Sequence, residues 1–146
     1  MSDASIIACP NCSAPNRVPA AKLGAGGKCG RCKSALFQAA PLTLTAANFE
    51  AHAIRSDIPL LVDFWAGWCQ PCRQMAPAFA AAARELEPAM RLAKLDTEAE
   101  GEIAARYRIQ SIPTLVLISK GREVARQSGA MPTGAITHWA RSVARG

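Results

Sequence analysis

All six cysteines of the chain fall in Cys-x-x-Cys pairs: Cys9 with Cys12, Cys29 with Cys32, and Cys69 with Cys72. The pairs differ in their surroundings, and so in the chemistry open to them. Cys69 and Cys72 follow an apolar run over residues 60–66 and enclose Gln70 and Pro71, which places them where a strand gives way to a helix. A thiolate is the nucleophile of disulfide exchange, and the unpaired N–H groups of a helix's first turn stabilise it. Cys69 stands at that end, where its sulfur can be exposed. Cys72 lies one turn deeper, so the two sulfurs can meet. Pro71 suits the first turn, because its missing N–H would have had no partner there. A Cys-x-x-Cys beside a strand–helix–strand pattern reads as a dithiol redox motif. The competing readings are weaker. A structural disulfide with so small a loop would constrain the unfolded chain little, and a metal site would need two further ligands that are not nearby in sequence.

Neither upstream pair is followed by an apolar helix. Sixteen residues separate Cys12 from Cys29, which fits the two-pair spacing of a zinc site. Each pair can form a tight turn that points two sulfurs at one tetrahedral ion. Two disulfides, or a second dithiol site, are the alternatives. A reducing compartment opposes the first and the missing helix opposes the second. The expected cofactor is one structural Zn²⁺ held by Cys9, Cys12, Cys29 and Cys32.

Residues 1–40 are rich in Ala, Gly, Pro and Cys and poor in periodic apolar pattern. Such a segment cannot build a core and needs a metal or disulfide staple. Ala39-Ala40-Pro41 reads as a boundary between a zinc-binding domain, 1–40, and a second domain, 41–146. In the second, the pattern predicts a strand at 42–44, then a helix capped by Thr45 with Phe49, Ala53 and Ile54 on its apolar face. A buried strand follows at 60–66, then a helix at 69–86 with a kink at Pro77. Next come a strand at 91–95, a helix at 98–107, and strands at 114–118 and 122–127 joined by a Lys120-Gly121 turn. Thr133 would cap a last helix with Ile136, Trp139, Ala140 and Val143 on one face. Met75 and Phe79 read as core. His52 and His138 each stand alone on a predicted helix and read as solvated, without a catalytic role. Strands separated by helices imply parallel pairs, and the terminal hairpin adds an antiparallel edge. The fold class is therefore α/β, a mixed central sheet with helices on both faces.

The sequence resembles the thioredoxin family from about Leu42 onward. The resemblance is carried by Val62-Asp63-Phe64-Trp65-Ala66, Trp68-Cys69-x-Pro71-Cys72, Pro77, Lys94 and Asp96, Ser111-Ile112-Pro113-Thr114, and Gly129-Ala130, in the family's order and spacing. It implies the thioredoxin fold and a protein-disulfide reductase, with Cys69 attacking and Cys72 resolving. It implies that Asp63 is a buried carboxylate beneath the pair, raised in pKa by desolvation and placed to take the Cys72 proton, with Lys94 nearby. It also implies a cis bond before Pro113 that faces the dithiol. Trp65 and Trp68 would flank the site, with target contacts through Trp68, Gln70, Pro71, Ile112, Pro113, Gly129 and Ala130. Gln70 departs from the glycine usual in the family. With its Cys₄ segment in front, the whole chain is similar to the zinc-containing bacterial thioredoxin-2 type. The partners so implied are disulfide-containing target proteins and an NADPH-dependent flavin enzyme, thioredoxin reductase. The chain itself has no nucleotide-binding glycine motif, and no tightly bound organic cofactor is expected. Two rival functions stay open on the residues alone: an oxidase or isomerase running exchange the other way, and a zinc-ribbon binding module with a passive thioredoxin domain.

The formal charge of +6 is concentrated in residues 1–40, where five basic residues face Asp3 alone. A zinc ion with four thiolates is doubly negative, and nearby cations would offset it. Nucleic-acid binding is disfavoured, because no aromatic platform accompanies these cations before Phe37. Half the residues are hydrophobic, an ordinary share for a globular chain, and no apolar stretch is long enough for a bilayer. Ser5-Ile6-Ile7-Ala8-Cys9 resembles the end of a lipoprotein signal but has no basic or apolar region ahead of it. A cytoplasmic monomer is the expectation.

Overall fold

The computed structural model describes residues 3–144. The chain opens with an antiparallel hairpin of β1 (Ala4–Ala8) and β2 (Pro15–Pro19), followed by a 3₁₀ turn at Ala20–Lys22. This segment has more of a core than its composition suggests. Ile7, Ala14, Val18 and Leu36 are buried around Cys9 and Cys29, and Ile58, from far along the chain, completes the cluster. No periodic pattern announces it, because its members come from separate turns and one lies outside the segment.

The remainder builds a five-stranded sheet in the order β3 (Leu42–Thr43), β5 (Arg91–Asp96), β4 (Leu60–Trp65), β6 (Thr114–Ser119) and β7 (Arg122–Ser128). β4 is parallel to β5 and β5 to β3, while β6 and β7 run antiparallel to their neighbours. Side chains alternate across a sheet, and β4 shows it clearly. Leu60, Val62 and Phe64 face one core, with Phe49, Ile103 and Tyr107. Leu61 faces the other, with Met75, Phe79 and Leu86 of α1 (Gln70–Leu86) and Ile136 of α3 (Thr133–Ala144). Helices cover both faces, as predicted. Lys120 and Gly121 both take positive φ, 53° and 82°, the backbone a two-residue hairpin turn requires.

Several local expectations are corrected. Residues 50–55 form a π-helical turn (Glu50–Arg55). Its wider winding turns Ile54 outward, 41 % exposed, and buries His52, 2 % exposed, against β1. Thr45 does act at the preceding turn: its Oγ1 accepts the Ala47 N–H at 3.2 Å, while Asn48 Oδ1 accepts the Thr45 N–H at 2.7 Å. α2 (Gly101–Arg106) starts later than predicted, because Asp96 Oδ1 takes the Glu98 N–H at 2.9 Å and holds the chain in a turn first. The helix predicted at 69–86 is found as α1, with Pro77 inside it. Thr133 ties helices rather than capping one: its hydroxyl donates to the Ala78 carbonyl of α1 at 3.4 Å.

Candidate functional site

Cys69 is the N-cap residue of α1. Its backbone is extended, and its sulfur accepts the Cys72 N–H at 3.2 Å. That bond is the sulfur version of an N-cap, and a helix-terminal donor so placed would favour a thiolate at that atom. Pro71 stands in the first turn as expected. Cys69 and Cys72 are joined as a disulfide, with Cα atoms 5.3 Å apart. Cys69 is only 4 % exposed, less than the sequence led us to expect. Its sulfur is turned inward, 3.8 Å from the Ile112 carbonyl oxygen, and Ala66, Trp65 and Ile112 pack around the pair.

Asp63 lies two residues before Trp65 on β4, on the sheet face that α1 covers. It is fully buried, and among the described residues neither carboxylate oxygen has a hydrogen-bond partner. Burial pushes its pKa up to about 7, and the positive charge of Lys94 pulls in the opposite direction. Lys94 is the cross-strand neighbour of Asp63 in the β4–β5 register. It forms no ion pair with Asp63 among the described residues; its Nζ instead sits 4.4 Å above the Trp65 ring.

The Ile112–Pro113 bond is cis. Pro113 is buried at the start of β6, and its carbonyl accepts the Gly129 N–H at 2.9 Å. This bond brings Gly129 and Ala130, both exposed, to the same rim as the dithiol. Gly129 has φ +100°, a conformation that disfavours any side chain there. Trp68 stands out at 69 % exposed, and Gln70 and Pro71 are exposed beside it. A shallow depression of about 170 Å³ adjoins Trp68 and Ile112 and is completed by Thr97, Ala104, Ile109 and Gln110. Sequence reading missed those four residues. They come from two loops and a helix, and no shared motif links them. A larger depression of about 370 Å³ lies by Phe49 and Glu102 and is lined by no cysteine, serine or histidine among the described residues.

The other four cysteines converge in the N-terminal segment. Their sulfurs all lie within 4.8 Å of one another, with Cys9 to Cys32 at 3.5 Å and Cys12 to Cys29 at 3.7 Å. Sulfurs bound to one tetrahedral zinc stand about 3.8 Å apart. The two halves repeat each other. The Cys9 N–H donates to the Ala14 carbonyl and the Ser13 N–H to the Cys9 carbonyl. In the same way, the Cys29 N–H donates to the Ser34 carbonyl and the Lys33 N–H to the Cys29 carbonyl. Ser13 and Lys33, at equivalent places, both have positive φ. Backbone N–H groups of Asn11 and Arg31 point at Cys9 and Cys29 Sγ, each at 3.3 Å, and Asn16 Nδ2 adds a donor to Cys29 at 3.5 Å. Hydrogen bonds from the Ser34 side chain and backbone lower the Cys32 thiol to about 5. Cys12 goes the other way, to about 11: a hydrogen bond from the Ala14 backbone favours its thiolate, but burial and the three neighbouring sulfurs outweigh it. Four thiolates this close cannot all stay ionised without a cation among them, so the donor set fits a soft divalent metal.

The two centres lie at opposite ends of the sheet. The N-terminal segment abuts the start of β4 and β5, where Leu60 pairs with Arg91, and the dithiol lies beyond the far end, where Trp65 pairs with Asp96. Five strand steps separate those pairs, about 17 Å. Among the described residues no helix is long and apolar enough to cross a membrane.

Comparison with known proteins agrees with this layout. Residues 40–142 match the family described as Thioredoxin, and residues 8–34 match a zinc-ribbon family described as Thioredoxin 2, N-terminal. Thioredoxin C-3 of Corynebacterium nephridii is 46 % identical over 134 residues, which cover 92 % of each chain. Thioredoxin of Porphyra purpurea is 44 % identical over 89 residues, 61 % of this chain and 83 % of its own. The crystal structure of chloroplastic thioredoxin z superposes with a TM-score of 0.65 at 26 % identity, over 73 % of this chain and 96 % of that one. The chain therefore belongs to the thioredoxin family, with a zinc ribbon of the Thioredoxin 2 type set in front of its dithiol domain.

Proposed function

We propose that the protein reduces disulfides in other proteins by thiol exchange at Cys69 and Cys72. The observation that carries this reading is the Cys69 sulfur at the leading end of α1, accepting the Cys72 N–H. In the reduced protein the Cys69 thiolate attacks a target disulfide. A bond forms between Cys69 and one target sulfur, and the other target sulfur leaves as a thiolate. Cys72 then gives up its proton and attacks the Cys69 sulfur. The mixed disulfide breaks, the second target sulfur leaves, and the Cys69–Cys72 disulfide forms. The target gains two electrons and the protein loses them. Asp63, buried and with unfilled acceptors on the α1 face, is our choice for the base that takes the Cys72 proton. Lys94 tunes that carboxyl from the neighbouring strand. Trp68, Gln70, Pro71, Ile112, Pro113, Gly129 and Ala130 form the rim on which an extended target segment lies.

Cys9, Cys12, Cys29 and Cys32 hold one Zn²⁺ in this reading, and the ion supplies folding energy and neutralises the thiolates. An NADPH-dependent flavin reductase returns the dithiol to its reduced form, and a reducing compartment such as the cytoplasm suits both centres. The test is reduction of an insulin-type disulfide by the wild type and two variants. Cys69→Ser should abolish turnover. Cys72→Ser should also stop turnover yet accumulate a mixed disulfide through Cys69, visible by mass. Full turnover by Cys69→Ser would sink the proposal.

A further inference from the structure

Between the ribbon and the thioredoxin domain lies an ion pair for which disulfide exchange has no use. Arg91 opens β5 and is 3 % exposed, and its Nη1 stands 3.7 Å from Oε2 of Glu87, just past the end of α1. Two charges removed from water are costly to keep unless their remaining hydrogen-bonding groups are satisfied. Here those groups reach into the ribbon. Arg91 Nη2 donates to the Ala8 carbonyl at 2.9 Å, and the guanidinium lies 4.6 Å above the Phe37 ring. Glu87 Oε1 accepts the Ala39 N–H at 3.1 Å. Ala8 immediately precedes the first metal-ligand candidate, and Phe37 and Ala39 follow the last one, Cys32. One pair thus grips the chain before the first knuckle and after the second. The ribbon's own core is small: among the described residues, four buried side chains are neither cysteine nor borrowed from the other domain.

We propose that the Arg91–Glu87 pair is a clamp that holds the two cysteine knuckles at metal-binding separation, so that the thioredoxin domain supplies the outer shell of the metal centre. The proposal rests on reading the four cysteines as a zinc site. Among the described residues neither Arg91 nor Glu87 hydrogen-bonds a ligand sulfur, though the Arg91 charge lies close enough to Cys9 to interact with it; they act as positioning residues through the Ala8 carbonyl, the Phe37 ring and the Ala39 N–H. Loss of outer-shell partners of a metal site costs about 10- to 100-fold in affinity.

The full chain is loaded with Zn²⁺, and release into excess chromogenic chelator is timed for the wild type and for Arg91→Met/Glu87→Gln, a pair change that leaves no charge buried alone. Release should be about 10- to 100-fold faster in the variant, while disulfide exchange at Cys69 stays unchanged. Melting with and without zinc separates the clamp from general cement. The clamp predicts that the gain in melting temperature on adding zinc shrinks in the variant. A pair that only stabilises the body lowers both melts equally and leaves release unchanged, which would overturn the proposal. Should the double variant not fold, Phe37→Ala removes one grip and leaves the buried pair intact. It should speed release several-fold, and an unchanged rate would again overturn the clamp. A wild-type chain that takes up no zinc would overturn the metal reading itself.

Discussion

In the proposed exchange, Asp63 is the buried carboxyl whose titration can be read most directly. A carboxyl with ordinary pKa near 3.8, pushed up to about 7 by burial, holds its proton in the folded chain until about pH 7 and can accept one only near or above it, while the unfolded chain has already ionised. Between those two values the folded state binds more protons than the unfolded state. Stability must therefore fall as pH rises from about 4 to about 7, and then level off. A rise from 3.8 to about 7 corresponds to about 4 kcal/mol. Replacing Asp63 by Asn should remove that slope and raise stability above pH 7 by a comparable amount, as read from urea melts at pH 5 and pH 8. The same variant should slow release of the mixed disulfide at neutral pH, because Cys72 loses its base. Identical melts at both pH values would mean that Lys94 keeps the carboxylate ionised. Its Nζ, parked over Trp65, speaks against that.

At the scale of elements, α1 does most to define the site, through the way it begins. Gln70 occupies the first helical position, is exposed, and makes no side-chain hydrogen bond among the described residues. Its influence on the sulfurs must pass through the helix start alone. Gln70→Gly should move the reduction potential by only tens of millivolts, on the order of 1.4 kcal/mol per 30 mV, measured by equilibration in glutathione buffer. A gap several times larger would give the side chain a direct part in the chemistry. The beginning of α1 was legible because a continuous apolar run, two cysteines and a proline each point to the same strand-to-helix junction. The π-helical turn and the β1–β2 hairpin were not. Their burial comes from one module docking on another, and no local period encodes that. His52, alone on its predicted helix, read as solvated and is buried by β1, while Ile58, outside every predicted element, closes the ribbon's core. The rim residues Thr97, Ala104, Ile109 and Gln110 were hidden for a different reason: they come from separate loops and a helix of one module, and no motif links them.

For the whole molecule, the question is how far two centres at opposite ends of one sheet depend on each other. Among the described residues, both large cores are built without a single residue before Leu42. The ribbon's core, by contrast, borrows Ile58, and its first strand leans on the loop before β4: the Asp57 N–H donates to the Ile6 carbonyl at 2.8 Å and the Ile6 N–H to Asp57 Oδ2 at 2.6 Å. The dependence therefore runs one way. Residues 41–146 alone should fold and keep disulfide exchange within a few-fold of the full chain. Arg91 and Glu87 would then be left at the new surface, where water resolvates them, and an exposed pair costs little to keep or to lose. Residues 1–40 alone should stay unfolded without Zn²⁺, since a segment this short needs its staple. With Zn²⁺ they should fold but release the ion faster than the full chain does. Circular dichroism melts of both pieces, with the insulin assay on the larger one, would decide the matter. If the larger piece melted without cooperativity or lost exchange, the ribbon would be an integral part of the catalytic unit, and the separation of the two ends of the sheet would count for nothing.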